Sequence, residues 1–112
     1  MSVGNLMKNA VTVAAANDAA TLVGFPSAGY CSLQITGTFS GTITFEATCD
    51  NTNWVAVSMI PVGQPPAYAT AVTTATAVGI WSAPTFAYTG FRARCSTYTS
   101  GSPVLTLKYS GV

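Results

Sequence analysis

Histidine is absent from this chain and charge is nearly so, with four basic and three acidic residues among 112. The first absence removes the commonest general base, and with it any Ser-His-Asp or Cys-His constellation built within one chain. No G-x-x-x-x-G-K-[ST] segment is present, nor a G-x-G-x-x-G run opening a helix, so nucleotide-binding loops are not expected either. The carboxylates do not make up the loss. Glu46 and Asp50 are four residues apart on one extended segment, which separates their Cα atoms by about 13 Å. Paired glycosidase carboxyls sit at roughly 5–5.5 or 6.5–9.5 Å. They read as two solvated acids at a strand end and turn, and no enzymatic activity and no catalytic residue are expected.

The charged residues are Lys8, Asp18, Glu46, Asp50, Arg92, Arg94 and Lys108. On a folded chain of this size they leave roughly 800 Å² of surface per charge, far below the usual density. So neutral a surface favours association with other subunits. The net charge of +1 gives no footprint for nucleic acid, and the pair Arg92 and Arg94 is too small for a phosphate-tracking groove. No apolar run approaches the ~18 residues of a membrane span. The opening MSVGNLMKNAVTVAAANDAA lacks a basic region followed by an unbroken apolar stretch, so no secretion signal is expected. Cys31, Cys49 and Cys95 are odd in number and widely spaced, which argues against a disulfide framework. All three fall in the in-facing phase of alternating segments, where buried free thiols are expected. Too few soft ligands remain for a zinc site. Asp50, Asn51 and Asn53 offer oxygen ligands, but ordinary Asx-turn chemistry accounts for them, so no metal and no cofactor are expected.

What the chain has in quantity is threonine, glycine and apolar residues, the last at 49%. The pattern is of short strands. Tyr30–Thr36 alternates Cys31, Leu33 and Ile35 against Ser32, Gln34 and Thr36. Thr42–Cys49 puts Ile43, Phe45, Ala47 and Cys49 inward, turns through Asp50–Asn53, and returns as Trp54–Ile60 in a hairpin. Phe91–Tyr98 points Phe91, Ala93 and Cys95 inward. Ser100-Gly101-Ser102 reads as a hairpin turn into Val104–Tyr109. Ala10–Ala16 and Thr21–Phe25 are further strands, the first chosen over a short helix for its β-branched residues. Ala67–Val78 reads as extended, a loop or edge strand. Pro84 argues against a central strand over Gly79–Tyr88, which leaves Trp81, Phe86 and Tyr88 available as partner-binding anchors. Trp54, opening a strand after a turn, should cap the core. Turns every 8–12 residues predict an all-β fold: one antiparallel β-sandwich, Ig-like or jelly-roll-like, of about seven or eight short strands. It should span residues 10–112 behind an N-terminal arm over residues 1–9, whose Val3, Leu6 and Met7 can order against a neighbouring subunit's sheet edge.

The run GTFSGTITFEATCDNTNWVAV, the R-A-R of Arg92–Arg94 followed by S-T-Y-T-S-G, and the closing V-L-T-L-K-Y-S resemble a pattern in small β-sandwich modules of tailed-bacteriophage virions. These are capsid decoration proteins, head fibres and tail appendages. The resemblance covers roughly Tyr30 to Ser110, diverging between Pro61 and Tyr88. It implies a non-enzymatic virion protein, foremost a capsid decoration (cement) protein on the capsid exterior, made in the host cytoplasm. Its implied partners are the major capsid protein and copies of itself, with a homotrimer favoured. The alternative within the same resemblance is a carbohydrate- or receptor-binding module of a head fibre or tail appendage. A collagen-like or coiled-coil shaft is lacking. An exposed aromatic shelf among polar neighbours would favour sugar binding; a flat apolar patch would favour docking.

Overall fold

A computed structural model describes residues 6–63 and 70–111. Ten strands run through them: β1 (Leu6–Thr12), β2 (Ala19–Val23), β3 (Gly29–Thr36), β4 (Phe39–Thr48), β5 (Val55–Ala56), β6 (Ile60–Pro61), β7 (Thr74–Ala75), β8 (Gly79–Pro84), β9 (Gly90–Gly101) and β10 (Val104–Gly111). They form two antiparallel sheets. Sheet A has the order β1-β10-β3-β8-β6, and sheet B the order β2-β9-β4-β5, with β7 also on the β4 edge. The chain pairs from its ends inward: β1 with β10, β2 with β9, β3 with β8, β4 with β7 and β5. A long antiparallel ribbon rolled this way is a jelly roll. The predicted sandwich is therefore observed, in the jelly-roll rather than the Ig-like form. The strand number exceeds the expected seven or eight because β5, β6 and β7 are two-residue pieces.

The core lies between the sheets and follows the period-two reading. Leu33 and Ile35 of β3, Ile43 and Phe45 of β4, Phe91 and Ala93 of β9, and Leu105, Leu107 and Tyr109 of β10 are all buried. Tyr109 stacks on Phe25 with centroids 4.7 Å apart, and its hydroxyl donates to the Ser27 carbonyl at 2.6 Å. That partly buried hydrogen bond ties the β2–β3 loop to the sheet and leaves the buried phenol satisfied.

Several local expectations change. The strand expected from Ala10 begins at Leu6, and Leu6–Asn9 pair with Ser110–Leu107 of the same chain. The part of the predicted arm that is described therefore has an intramolecular partner; Val3 and residues 1–5 lie outside the described residues. The Thr42–Ile60 hairpin is only partial. The return from the turn gives two pairs in β5, whereas β4 pairs along its whole length with β9. Ser100–Ser102 is not a hairpin turn. β9 and β10 belong to different sheets, and the chain crosses between them at Ser102 and Pro103. Gly101 permits the crossing. Its φ is +95°, and a side chain there would collide with the Thr38 carbonyl. Pro84 is tolerated in a strand because the Thr85 N–H bonds the Gly29 carbonyl. By antiparallel alternation the Tyr30–Pro84 pair is then a non-hydrogen-bonded one. The proline nitrogen faces the other edge, beyond the end of β6, where no ladder bond is lost. Of the Ala67–Val78 segment, residues 67–69 lie outside the described residues and Thr74–Ala75 form β7.

Candidate docking surface

Register builds the outer face of sheet A row by row. One row reads Leu6, Ser110, Tyr30, Pro84; the next Lys8, Lys108, Ser32, Ser82, Ile60; the third Ala10, Thr106, Gln34, Ile80. Val62 extends the third row, its N–H donating to the Ile80 carbonyl at 2.8 Å. Apolar residues collect on the β8–β6 side. Tyr30, Ile60, Val62 and Ile80 are all more than 40% exposed, although each is large and apolar. Tyr30, Ile60, Val62 and Pro84 line one shallow hollow, and Ala28, Tyr30, Pro84 and Phe86 line the next. The strip is continuous from Val62 to Phe86, which makes it the candidate for an interaction surface.

Phe86 anchors its end. It is 66% exposed and sits at φ +47°, the left-handed region that bulky residues avoid. The Tyr88 N–H donates to the Thr85 carbonyl at 2.9 Å, closing a four-residue turn. Phe86 is the second residue of that turn, a position glycine normally fills when φ is positive there. Thr85 is buried and locked to Gly29: its hydroxyl accepts the Gly29 N–H at 2.8 Å and donates to the Gly29 carbonyl at 3.1 Å. The fold thus holds a strained backbone in order, with an aromatic ring projecting from it. Tyr88 supports that ring edge-on at 5.8 Å.

The polar side of the same face is cationic. Lys8 and Lys108 are directly opposite each other and both exposed. The strands of sheet A contain no aspartate or glutamate, so this like-charge pair has no counter-ion within its own sheet.

The outer face of sheet B is different. Glu46, only 7% exposed, accepts from Arg92 Nε at 2.6 Å and from Arg94 Nε and Nη2 at 3.0 Å each. Arg94 Nη1 donates to Asn17 Oδ1 at 2.8 Å. The hydrogen bond from Arg94, and then that from Arg92, outweighs desolvation and holds the Glu46 carboxyl below its usual range. Trp54 lies under the Arg92 guanidinium at 4.4 Å. Two sequence readings change here. Glu46 is a clamped, covered acid and not a solvated one, and Trp54 packs on the outer face rather than capping the core. The signal was present in Arg92 and Arg94, which share the out-facing phase of their strand; the missing knowledge was that β9, and not the return from the turn, lies beside β4. Asp50 is the Asx-turn residue expected. Its carboxylate accepts the Thr52 and Asn53 N–H groups at 2.9 and 2.8 Å, and these bonds, with that from the Asn53 side chain, hold its carboxyl well below the usual carboxylate range.

The predicted anchors separate. Phe86 is exposed as expected. Leu6 is exposed on the outer face of sheet A, at the far end of the Tyr30 row. Met7 points the other way, half-buried beside Tyr109. Tyr88 is half-buried against the core. Trp81 is a core residue, 8% exposed and 6.0 Å from the Phe45 ring, because it shares the inward phase of β8 with Ala83. Tyr30, Ile60, Val62 and Ile80 were missed. Tyr30 carried a usable signal: it is an apolar residue in the outward phase of β3, opposite to Cys31, Leu33 and Ile35. Cys49 is exposed, unlike Cys31 and Cys95. The Thr48 hydroxyl accepts the Asn51 N–H at 3.0 Å, so the turn has begun and Cys49 has left the pleat.

Fold and surface together define a small jelly-roll module with one apolar, cationic face and one clamped arginine face. No family model and no curated protein matches the sequence. Among solved structures, the crystal structure of the SPBc2 prophage-derived protein YomS is similar, with a TM-score of 0.70 at 15% identity, covering 98% of this chain and 99% of that one. The two chains share a fold over essentially their whole lengths.

Proposed function

We propose that the chain is a non-enzymatic structural module of a phage virion, a decoration protein that stabilises the head by docking onto capsid subunits through the outer face of sheet A. The observation that carries this reading is the continuous strip from Val62 to Phe86, ending in an exposed phenylalanine on a strained turn. Two further facts support it. The partner's chemistry follows from Lys8 and Lys108: an apolar ridge flanked by an acidic group would bury the strip and neutralise the uncompensated pair. The resemblance of the strand motifs to phage virion modules, together with a fold shared with a prophage-derived protein, favours this setting over other jelly-roll contexts. The resemblance also favours a homotrimer. Burial of apolar area at ~25 cal/mol per Å², repeated over many copies, would then reinforce a lattice under outward pressure.

The test is co-sedimentation with heads of the encoding phage prepared without this protein. The Tyr30→Ser, Phe86→Gly double variant should stay folded and bind at least about tenfold more weakly, the loss of two interface anchors. Undiminished binding by the variant would contradict the docking assignment.

A further inference from the structure

The Arg92 guanidinium on sheet B is held by one hydrogen bond and one aromatic contact. Glu46 meets Arg94 through two parallel bonds, the arrangement in which an arginine uses its fork on a carboxylate. It meets Arg92 only through Nε. Trp54 lies against one face of the Arg92 guanidinium, 4.4 Å from its central carbon. Among the described residues the two terminal nitrogens of Arg92 donate no hydrogen bond, whereas both of those on Arg94 are engaged. One acid against two arginines leaves a local charge of +1. The other acids, Asp18 and Asp50, are committed to their own turns and give Arg92 no hydrogen bond. The result is a fork oriented by Glu46 and Trp54, with no partner for its terminal nitrogens among the described residues, on a side chain one quarter exposed.

The geometry points to a carboxylate-binding site at Arg92, with a carboxylate-bearing sugar as its ligand. A carboxylate fits the planar fork bidentately. The surroundings select the sugar. Thr21 flanks Arg92 on β2, and the exposed Thr74 ends the next row, beyond Thr44, whose own hydroxyl is bonded to Ser96 at 2.7 Å. The hydroxyls of Thr21 and Thr74 match sugar hydroxyls, while the short Ala56, opposite Glu46 in the row of Arg92, adds no side chain long enough to cover the fork. The apolar hollow at the neighbouring β4–β5 edge, lined by Ala47, Val55, Val57 and Tyr88, includes neither Arg92 nor Trp54. Trp54, its face already taken by Arg92, serves as the support of the fork and not as a stacking shelf. The site lies on the sheet opposite the docking strip and does not depend on that reading.

The experiment is a solution titration of the isotope-labelled full chain, without capsids, followed by NMR at Arg92 Nε–H, the Trp54 indole N–H and the Thr21 amide. Methyl glucuronide, a sugar carrying one carboxylate, should give saturable shifts at all three, in the weak range of roughly 1 mM suited to one monosaccharide. Methyl glucoside should give none. Arg92→Gln should weaken the response by roughly tenfold or more, as loss of a charge-assisted bidentate contact requires. Arg92→Lys, which keeps the charge and removes the fork, should weaken it nearly as far. Equal titration by the glucoside, or an unchanged response in a folded Arg92→Lys variant, would overturn the site. Acetate or N-acetyl-aspartate amide binding as tightly as the glucuronide would overturn the sugar assignment.

Discussion

Phe86 concentrates the argument at the level of single residues. A left-handed backbone costs a bulky residue roughly 1–2 kcal/mol, and glycine would relieve that. Glycine also frees the unfolded chain, which costs about 0.4–1 kcal/mol, and it gives up the edge contact with Tyr88. These terms nearly cancel. Phe86→Gly should therefore shift the melting temperature by no more than about 4 °C while weakening docking, a separation that differential scanning calorimetry and the sedimentation assay resolve together. Glu46 behaves oppositely. Its folded carboxyl is held below the ordinary value of 4.5, so its contribution is complete above that value and disappears as the pH falls through the folded one. Glu46→Gln should cost roughly 1–3 kcal/mol at neutral pH, and the variant should lose less stability than the parent on acidification from pH 5; an equal acid loss in urea melts would show that the clamp is not the cause. The cysteines divide two to one. Burial pushes the Cys31 thiol up to about 12 and also raises Cys95, while Cys49 is open to solvent. A thiol reagent should label one group quickly in the folded protein and all three in denaturant without reductant.

The strand elements carry the next prediction. Like charges directly opposite each other across two strands are destabilising, and Lys8 faces Lys108 with no acid in the sheet. Lys8→Glu should convert this to an attractive pair and raise stability by about 0.5 kcal/mol in chemical melts, while weakening attachment to a partner whose acid the lysines meet. Strand phase was the part of the fold most legible in sequence. Cys31, Leu33 and Ile35, then Leu105, Leu107 and Tyr109, alternate strictly, and their burial follows because one face of each strand meets the core. Pairing was not legible. Nothing local in Phe39–Thr48 distinguishes the nearby return at Val55 from the distant β9, since both offer a β-prone edge. Nor does Ser100-Gly101-Ser102 reveal whether the chain turns back or crosses to the other sheet. That decision lies in the approach of Thr38 to Gly101. The candidate docking surface was half legible for the same reason. Phe86 stands out as an aromatic beside a proline, but Ile60 and Ile80 join Tyr30 only once β6, β8 and β3 lie side by side.

The molecule as a whole is a slab of 40 × 35 × 25 Å with 5919 Å² of surface; five of its seven charges lie on two opposed faces, and Asp18 and Asp50 sit in turns. Sheet A holds two unopposed lysines beside an apolar strip. Sheet B holds a satisfied acid, two arginines and a fringe of hydroxyls. Such a slab is suited to lie with one face on a larger assembly and the other towards solvent. The most direct test is a cryo-EM reconstruction of the encoding phage at a resolution that orients the sandwich. The account predicts the module on the outside of the head, with Tyr30, Ile80 and Phe86 buried against capsid subunits, an acidic group near Lys8 and Lys108, and Arg92 facing outward. A module found on the tail, or one with the Tyr30–Phe86 strip open to solvent on the head, would contradict it.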